Sequence, residues 1–413
     1  MDVLINSIIY MCAVLAFVAL NSFANQDIIT AHDSKFADNF GYHAAIDGNT
    51  LLVGAHKADI DTVKDAGVAY VYVLGEKGWY QQAKLVAEPF FKNDTLGGNV
   101  ALKGNVAMLG AIGRNTKAKA SGAVIFFERR SNSWIQRQVV TAPDAKSGDA
   151  FGQAIALNDS YLVVGSPRND VLEEDSGAVY IYKRVNEAWR YQTKLSAIDG
   201  KKGDLFGISV AISGNTILVG ADLHDEKAEN AGAVYVYVLD GNKWKQEAKL
   251  LASDGGKTDI FGVRVAISGN TALISARRDD IEGIGVDAGS AYIFERHGHH
   301  WTEIAKFTSP DGKADDRFGR GVALNEDTAI ISAMHHDANG TDTGAVYIYN
   351  KGRKGWRYTE KILAELSFPY DRIGWNVALS NNNAVITAPN HDSSGKNTGA
   401  VLIQTLNNNV TTR

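Results

Sequence analysis

A unit of about 55 residues returns seven times along this chain and fills nearly all of it. One glycine marks each copy, at Gly41, Gly97, Gly152, Gly207, Gly262, Gly319 and Gly374. A second keeps time with it at Gly67, Gly122, Gly177, Gly232, Gly289, Gly344 and Gly399. Twelve positions further on, six copies carry a tryptophan: Trp79, Trp134, Trp189, Trp244, Trp301 and Trp356. A module of this size cannot bury its apolar face alone and must stack on its neighbours. The chain is therefore a repeat architecture before any local feature is considered.

Ahead of the repeats, Val3 to Leu20 is almost wholly apolar, and Ser22-Phe23-Ala24 then places small residues where a signal peptidase reads. These features predict a signal peptide over residues 1–24 and export to a periplasm, a cell surface or the medium. The only cysteine, Cys12, lies in that segment. The repeats can hold no disulfide, no thiol nucleophile and no cysteine zinc site. The chain has 42 basic and 47 acidic residues, and without Asp2 the balance is 42 − 46 = −4. No basic stripe suggests a nucleic-acid partner, and no second apolar run is long enough to span a bilayer.

The fourth unit shows what one copy folds into. Val210-Ala211-Ile212 passes through Ser213-Gly214-Asn215-Thr216 into Ile217-Leu218-Val219-Gly220-Ala221. Two β-rich runs around a Gly-Asn pair predict a hairpin, since both residues accept positive φ. After a loop of about ten residues, Gly232 to Val238 alternates Tyr235 and Tyr237 with valines. A fourth run, Trp244 to Leu251, completes the unit. Four short strands in each of seven units predict an all-β fold, a β-propeller with seven four-stranded antiparallel blades. The seventh unit stops after its third strand, while Ile28 to Asp33 aligns with the fourth-strand segment Lys249 to Asp254. The N-terminal strand is thus expected to complete the last blade and close a monomeric ring. The expected organisation is one propeller over residues 25–406, after the signal peptide and before a short tail, 407–413.

Phe40-Gly41, Phe151-Gly152, Phe206-Gly207, Phe261-Gly262 and Phe318-Gly319, with Val53-Gly54-Ala55, Val164-Gly165-Ser166-Pro167 and Val219-Gly220-Ala221, resemble FG-GAP repeats. Such repeats build the seven-bladed head of integrin α-subunits and many bacterial secreted proteins. The resemblance covers residues 25–406 and implies a propeller with a binding or adhesion role. Calcium-binding integrin repeats carry a loop of the form D-x-[DN]-x-D-G-x-x-D between their first two strands. Here that place holds only two- or three-residue turns, so those calcium sites are not carried over, and the chain is similar to the short-turn bacterial extracellular type.

Strand order puts the loop between strands two and three on the same side as the loop between blades, and that side is rich in carboxylates. An aspartate stands three before each repeat glycine: Asp38, Asp94, Asp149, Asp204, Asp259, Asp316 and Asp371. Asp33, Asp144, Asp199, Asp254 and Asp311 stand five residues earlier. The other loop carries Asp59, Asn115, Asp170, Asp225, Asp280, Asp337 and Asp392, with Asp65, Asp175, Asn230, Asp287, Asp342 and Asn397 near its end. Such oxygen donors suit calcium, but a short acidic side chain also fixes a bend by accepting a backbone hydrogen bond. Recurrence in all seven units favours the turn. No cofactor is expected. Calcium is the cation for which Asp59, Asp61, Asp65, Asp170, Asp175, Asp279, Asp280 and Asp287 are candidates, and His335-His336-Asp337 is a metal candidate by residue type.

Residues that differ between copies point to function better than those that unite them. His56, Arg114, Arg168, Asp170, His224, Arg277, Arg278, His336 and His391 fall in these loops and are the expected ligand-facing set. The third-strand tyrosines are expected to be core. No nucleophile elbow, zinc-protease, P-loop or dinucleotide signature is present. The expectation is a non-enzymatic exported propeller that recognises a protein or glycan through this face. The alternatives are a polysaccharide hydrolase or lyase at the central channel and a structural component of a surface assembly.

Overall fold

The computed structural model describes residues 26–365, 367–393 and 395–406. The predicted signal peptide and C-terminal tail lie outside the described residues. Twenty-eight strands form seven four-stranded antiparallel sheets. After β1 (Gln26–Ile29), the first blade is β2 (His43–Asp47), β3 (Thr50–Ala55), β4 (Val68–Gly75) and β5 (Gly78–Leu85), paired in chain order. Strands β6 to β25 repeat this pattern five times. The last sheet is β26 (Val377–Ser380), β27 (Asn383–Ala388), β28 (Ala400–Thr405) and then β1. Ile28 pairs with Leu402 and Ile29 with Val401, antiparallel, so the two ends of the propeller meet inside one blade.

The core lies between blades. One cluster joins Leu218, Val234 and Val236 of the fourth blade to Phe261, Ile274 and Tyr292 of the fifth. In five copies the repeat phenylalanine is the wedge at the junction, and Leu96 and Ile373 take its place in the other two. Phe151, fully buried, sets its ring edge-on to Tyr180 and Tyr182 with centroids 5.4 and 6.2 Å away. Its backbone bridges in parallel to Gly122 of the preceding blade. Gly122 has φ +85°, and a Cβ there would stand 2.2 Å from the Phe151 carbonyl oxygen. Only glycine satisfies both the backbone angle and the spacing. At the other repeat glycine, Gly152, φ is +96° and a Cβ would stand 2.8 Å from the Ala123 carbonyl oxygen, so both glycines of the unit recur.

The third-strand tyrosines are core, as their phase implied. Tyr70, Tyr180, Tyr235, Tyr292 and Tyr347 are at most 1% exposed. Each hydroxyl donates to the aspartate of the preceding inter-blade loop: Tyr70 to Asp33, Tyr180 to Asp144, Tyr235 to Asp199, Tyr292 to Asp254 and Tyr347 to Asp311, at 2.7–2.8 Å. Lys84, Lys194, Lys249, Lys306 and Lys361 bond the other oxygens of the same carboxylates and lie over the tyrosine rings. Blades two and seven have Ile125 and Leu402 in place of the tyrosine, and Pro89 takes the aspartate's place before blade two.

Candidate binding face

The loops of one side begin where the second and fourth strands of each blade end, so the backbone decides what each loop residue can reach. All seven inter-blade aspartates are buried, at 6% exposure or less. Each accepts the backbone N–H three residues earlier, from Lys35 to Asp38 and onward to Phe368 and Asp371, at 2.6–3.1 Å. The second-loop set does the same across five to seven residues. Asp59 accepts from the N–H of Asp65, Asn115 from Ala120, Asp170 from Asp175, Asp225 from Asn230, Asp280 from Asp287, Asp337 from Asp342 and Asp392 from Asn397. Every one of those donors has φ between +47° and +54°. The carboxylates therefore hold a left-handed bend in place. Asp61, at φ +53°, belongs to the same turn.

The expected ligand-facing set divides. Arg114, His224, His336 and His391 are buried, at 3–8% exposure, and are engaged with the scaffold. Each stands twenty residues after an inter-blade aspartate and bonds it: Arg114 to Asp94 at 3.2 Å, and the histidine Nδ1 atoms to Asp204, Asp316 and Asp371 at 2.8–2.9 Å. Asn169 fills the same place in blade three, bonded to Asp149 at 2.9 Å. The loop turns this side chain inward beneath the bend, which residue type alone does not reveal. In blade five the place is taken by Asp279, bonded to Ser290, Tyr292 and Lys306. Burial, followed by the charges of Asp279 and Asp280, pushes Asp259 up to about 6. His335 is separate from its neighbour and only loosely paired with Asp315, at 3.8 Å.

Among the described residues the metal candidates chosen from sequence do not gather three ligand-type atoms: Asp59, Asp170, Asp280 and Asp337 each hold their own turn, and Asp279 is paired with Lys306. Among the described residues, one group of Asp199, His224 and Glu226 brings three ligand-type atoms within 4.8 Å. The ammonium of Lys249 sits among them, bonded to Asp199 and Glu226 and 3.2 Å from His224 Nε2. It already supplies the positive charge that a metal would bring.

What remains on the surface is a rim around the central channel. Lys57, Arg168, Asp170 and Arg278 are exposed on it, and His56 and Arg277 are half-buried on its inner edge. The channel is a cavity of about 360 Å³ bounded by the first strands of all seven blades. Four positions after each repeat glycine it meets alanine in every blade: Ala45, Ala101, Ala156, Ala211, Ala266, Ala323 and Ala378. At its mouth on the loop side, one or two positions after the glycine, the blades differ: Tyr42 and His43, Asn99, Gln153, Ser209, Arg264, Arg320, Trp375 and Asn376. Sequence reasoning passed over these mouth residues. Their signal was the divergence of those two columns beside an invariant one.

The comparisons with known proteins agree with this architecture. The FG-GAP repeat family matches residues 23–72, 79–127, 134–182, 189–237, 244–294, 301–349 and 356–403. Most matched units run from the fourth strand of one blade through the third strand of the next, the same stagger that closes the ring. Among curated proteins none matches this chain. A solved chain from a structure titled "Crystal Structure of Mitotic Checkpoint Complex" superposes with a TM-score of 0.56 at 11% identity, over 94% of this chain and 93% of that one. At that identity the likeness is one of fold. The seven matched repeats and the blades they build place this chain in the FG-GAP repeat family.

Proposed function

We propose that this protein is an exported, non-enzymatic binding propeller that engages a protein or glycan through the face bearing the inter-blade loops and the loops between second and third strands. The observation that supports it is a lopsided surface. Among the described residues, the exposed large apolar side chains in loops are Phe36, Phe91, Leu172, Ile198, Val286, Phe368 and Tyr370 on this face, against Val185 at a hairpin of the opposite one. Ile28, Tyr80, Ile135, Val139, Tyr191, Ile304 and Tyr358 stand on the outer strands. Apolar groups gathered on one rim, around a channel mouth whose residues differ from blade to blade, suit recognition better than scaffolding. Export rests on the apolar segment Val3 to Leu20 with its small residues beyond. Among the described residues no helix is long and apolar enough to cross a membrane.

The test is a screen of immobilised protein against glycan and protein arrays, repeated with two variants. One changes Phe36, Phe91 and Tyr370 to serine. The other changes Tyr80, Ile135 and Tyr358 of the outer strands, which are also exposed. Binding lost in the first and kept in the second is expected. The reverse pattern would move the site to the blade edges.

A further inference from the structure

The channel's bore and its loop-side mouth differ in chemistry. Alanine, valine, isoleucine and leucine line the bore. The mouth holds Arg264 and Arg320, with Arg277 of the neighbouring loop coupled to them. Arg320 is 8% exposed, stacks over Trp375 at 4.1 Å, and makes no hydrogen bond or ion pair with the described protein. Arg264 donates only to the adjacent carbonyl of Val263, at 2.8 Å. The Nε of Arg277 is buried with no acceptor. Burial together with the neighbouring guanidiniums pulls Arg277 down to about 10 and Arg320 well below its usual range. The nearby carboxylate is Asp222, which burial pushes up to about 6 against the pull of these arginines. Asp222 acts on Arg264 and Arg277 but not on Arg320, so the arginines outnumber the acid and form an incomplete set, since buried charge is ordinarily paired.

Orphaned polar atoms lie at and beside this mouth: Asn99 lines it, His56 lines an adjoining cavity that shares Tyr42, Asn99 and Gln153 with it, and Asp222 is within electrostatic reach of Arg264 and Arg277. Asp222 Oδ1, Asn99 Oδ1 and His56 Nδ1 are buried without partners. His56 is held neutral by burial, its pKa drawn down to about 4, so one ring nitrogen is an acceptor. Beside them Tyr42 packs between His56 and Trp375, with ring centroids 3.8 and 5.5 Å away, as an aromatic shelf. A ligand that completes this set needs an anionic group for the arginines, several donors for the orphaned acceptors, and a compact body to lie on the shelf. A peptide offers a carboxylate and backbone N–H donors, but an acidic side chain has no compact ring that carries anion and donors together. An acidic sugar offers all three.

We propose that the channel mouth binds an acidic sugar unit, a uronate or a sulfated or phosphorylated residue of a glycan. Arg264, Arg277 and Arg320 take the anionic group, Asn99 and Asp222 accept from hydroxyls, and Tyr42 with Trp375 supports the ring. The cavity of about 360 Å³ admits one or two sugar units and excludes a folded domain. The inference rests on the loop face being the binding face and names its ligand.

The test is calorimetric titration of the full protein with an oligogalacturonate, a sulfated oligosaccharide, a neutral oligogalactan of equal length, an oligoglutamate peptide and inorganic sulfate. An acidic oligosaccharide should bind with an affinity that falls as salt rises. Arg320→Gln and Arg264→Gln should each weaken it at least ten-fold, and Arg320→Lys less. The glutamine variants should melt no lower than the parent, because they remove an unpaired buried charge. Equal binding of the neutral oligosaccharide, unchanged affinity in both glutamine variants, or sulfate binding as tightly as the sulfated sugar would overturn the proposal. Tighter binding of oligoglutamate would replace it with an acidic peptide. If the glutamine variants bind normally while the Phe36, Phe91 and Tyr370 variant has lost its partner, the face stands and this ligand assignment fails. The converse result keeps the sugar site and removes the wider face.

Discussion

At the place twenty residues after each inter-blade aspartate, the blades carry Ala58, Arg114, Asn169, His224, Asp279, His336 and His391, and only Asp279 opposes a carboxylate with another. Burial first and that like charge next raise Asp259 to about 6 from 3.8. A carboxyl whose folded pKa is raised keeps a proton that the unfolded chain has released, so its contribution to stability falls as pH climbs from about 4 to 6. His43 and His56, held neutral by burial with pKa values of about 3 and 4, act in the opposite direction below 6.5. Parent and variant must therefore be compared at each pH. Asn169 already shows an amide serving this place, bonded to Asp149, Lys194 and Tyr180. Asp279→Asn should raise stability on the order of 1 kcal/mol at pH 7.5, with the gain shrinking towards pH 5 as Asp259 protonates. Urea titrations at the two pH values measure the difference, and a gain independent of pH would show that repulsion is not its source. This carboxylate pair could be read from the repeat alignment once the twenty-residue pairing was known. The pairing itself could not, because a histidine or arginine in a polar loop looks exposed until the bend above it is placed.

The blade is held by contacts that the unit's own spacing requires. Gly232 has φ +87°, and a Cβ there would stand 2.1 Å from the Phe261 carbonyl oxygen of the next blade. Gly214 also has positive φ, +54°, but in a hairpin with nothing within 4 Å. Gly232→Ala should therefore cost upwards of about 3 kcal/mol and Gly214→Ala about 1, read from denaturant midpoints. Equal costs would mean that backbone angle alone, and not inter-blade contact, keeps the repeat glycine. The tyrosine and aspartate of the inter-blade bridge were each read from sequence as separate periodic columns, and the lysine column was passed over. That they form one cluster was not visible, since the tyrosine and aspartate are 36 to 38 residues apart and come from successive loops and strands. The acidic columns show the same limit. Recurrence favoured a turn, and the geometry supplies the acceptor and the donor.

For the whole molecule, the decisive contact is the pairing of β1 with β28. Only this sheet is assembled from both ends of the propeller, and without β1 the third strand of the last blade becomes an open edge. A chain beginning at residue 33 should unfold at lower temperature and associate, seen as a reduced melting midpoint and early elution in size-exclusion chromatography. A monomer of parental stability would show that ring closure relies on the six other junctions. The sequence by itself determined the number of blades, the strands in each, the closure and the buried faces, because a fixed period repeats every local constraint seven times and leaves one ring that satisfies them. Only the tertiary structure decided which loop residues reach solvent and which turn under the bend. It alone brought Tyr42, Arg264, Arg320 and Trp375 to one channel mouth, with Asp222 and Arg277 beside them. These residues come from five blades, and their proximity exists only once the ring closes and its radius fixes what faces the bore.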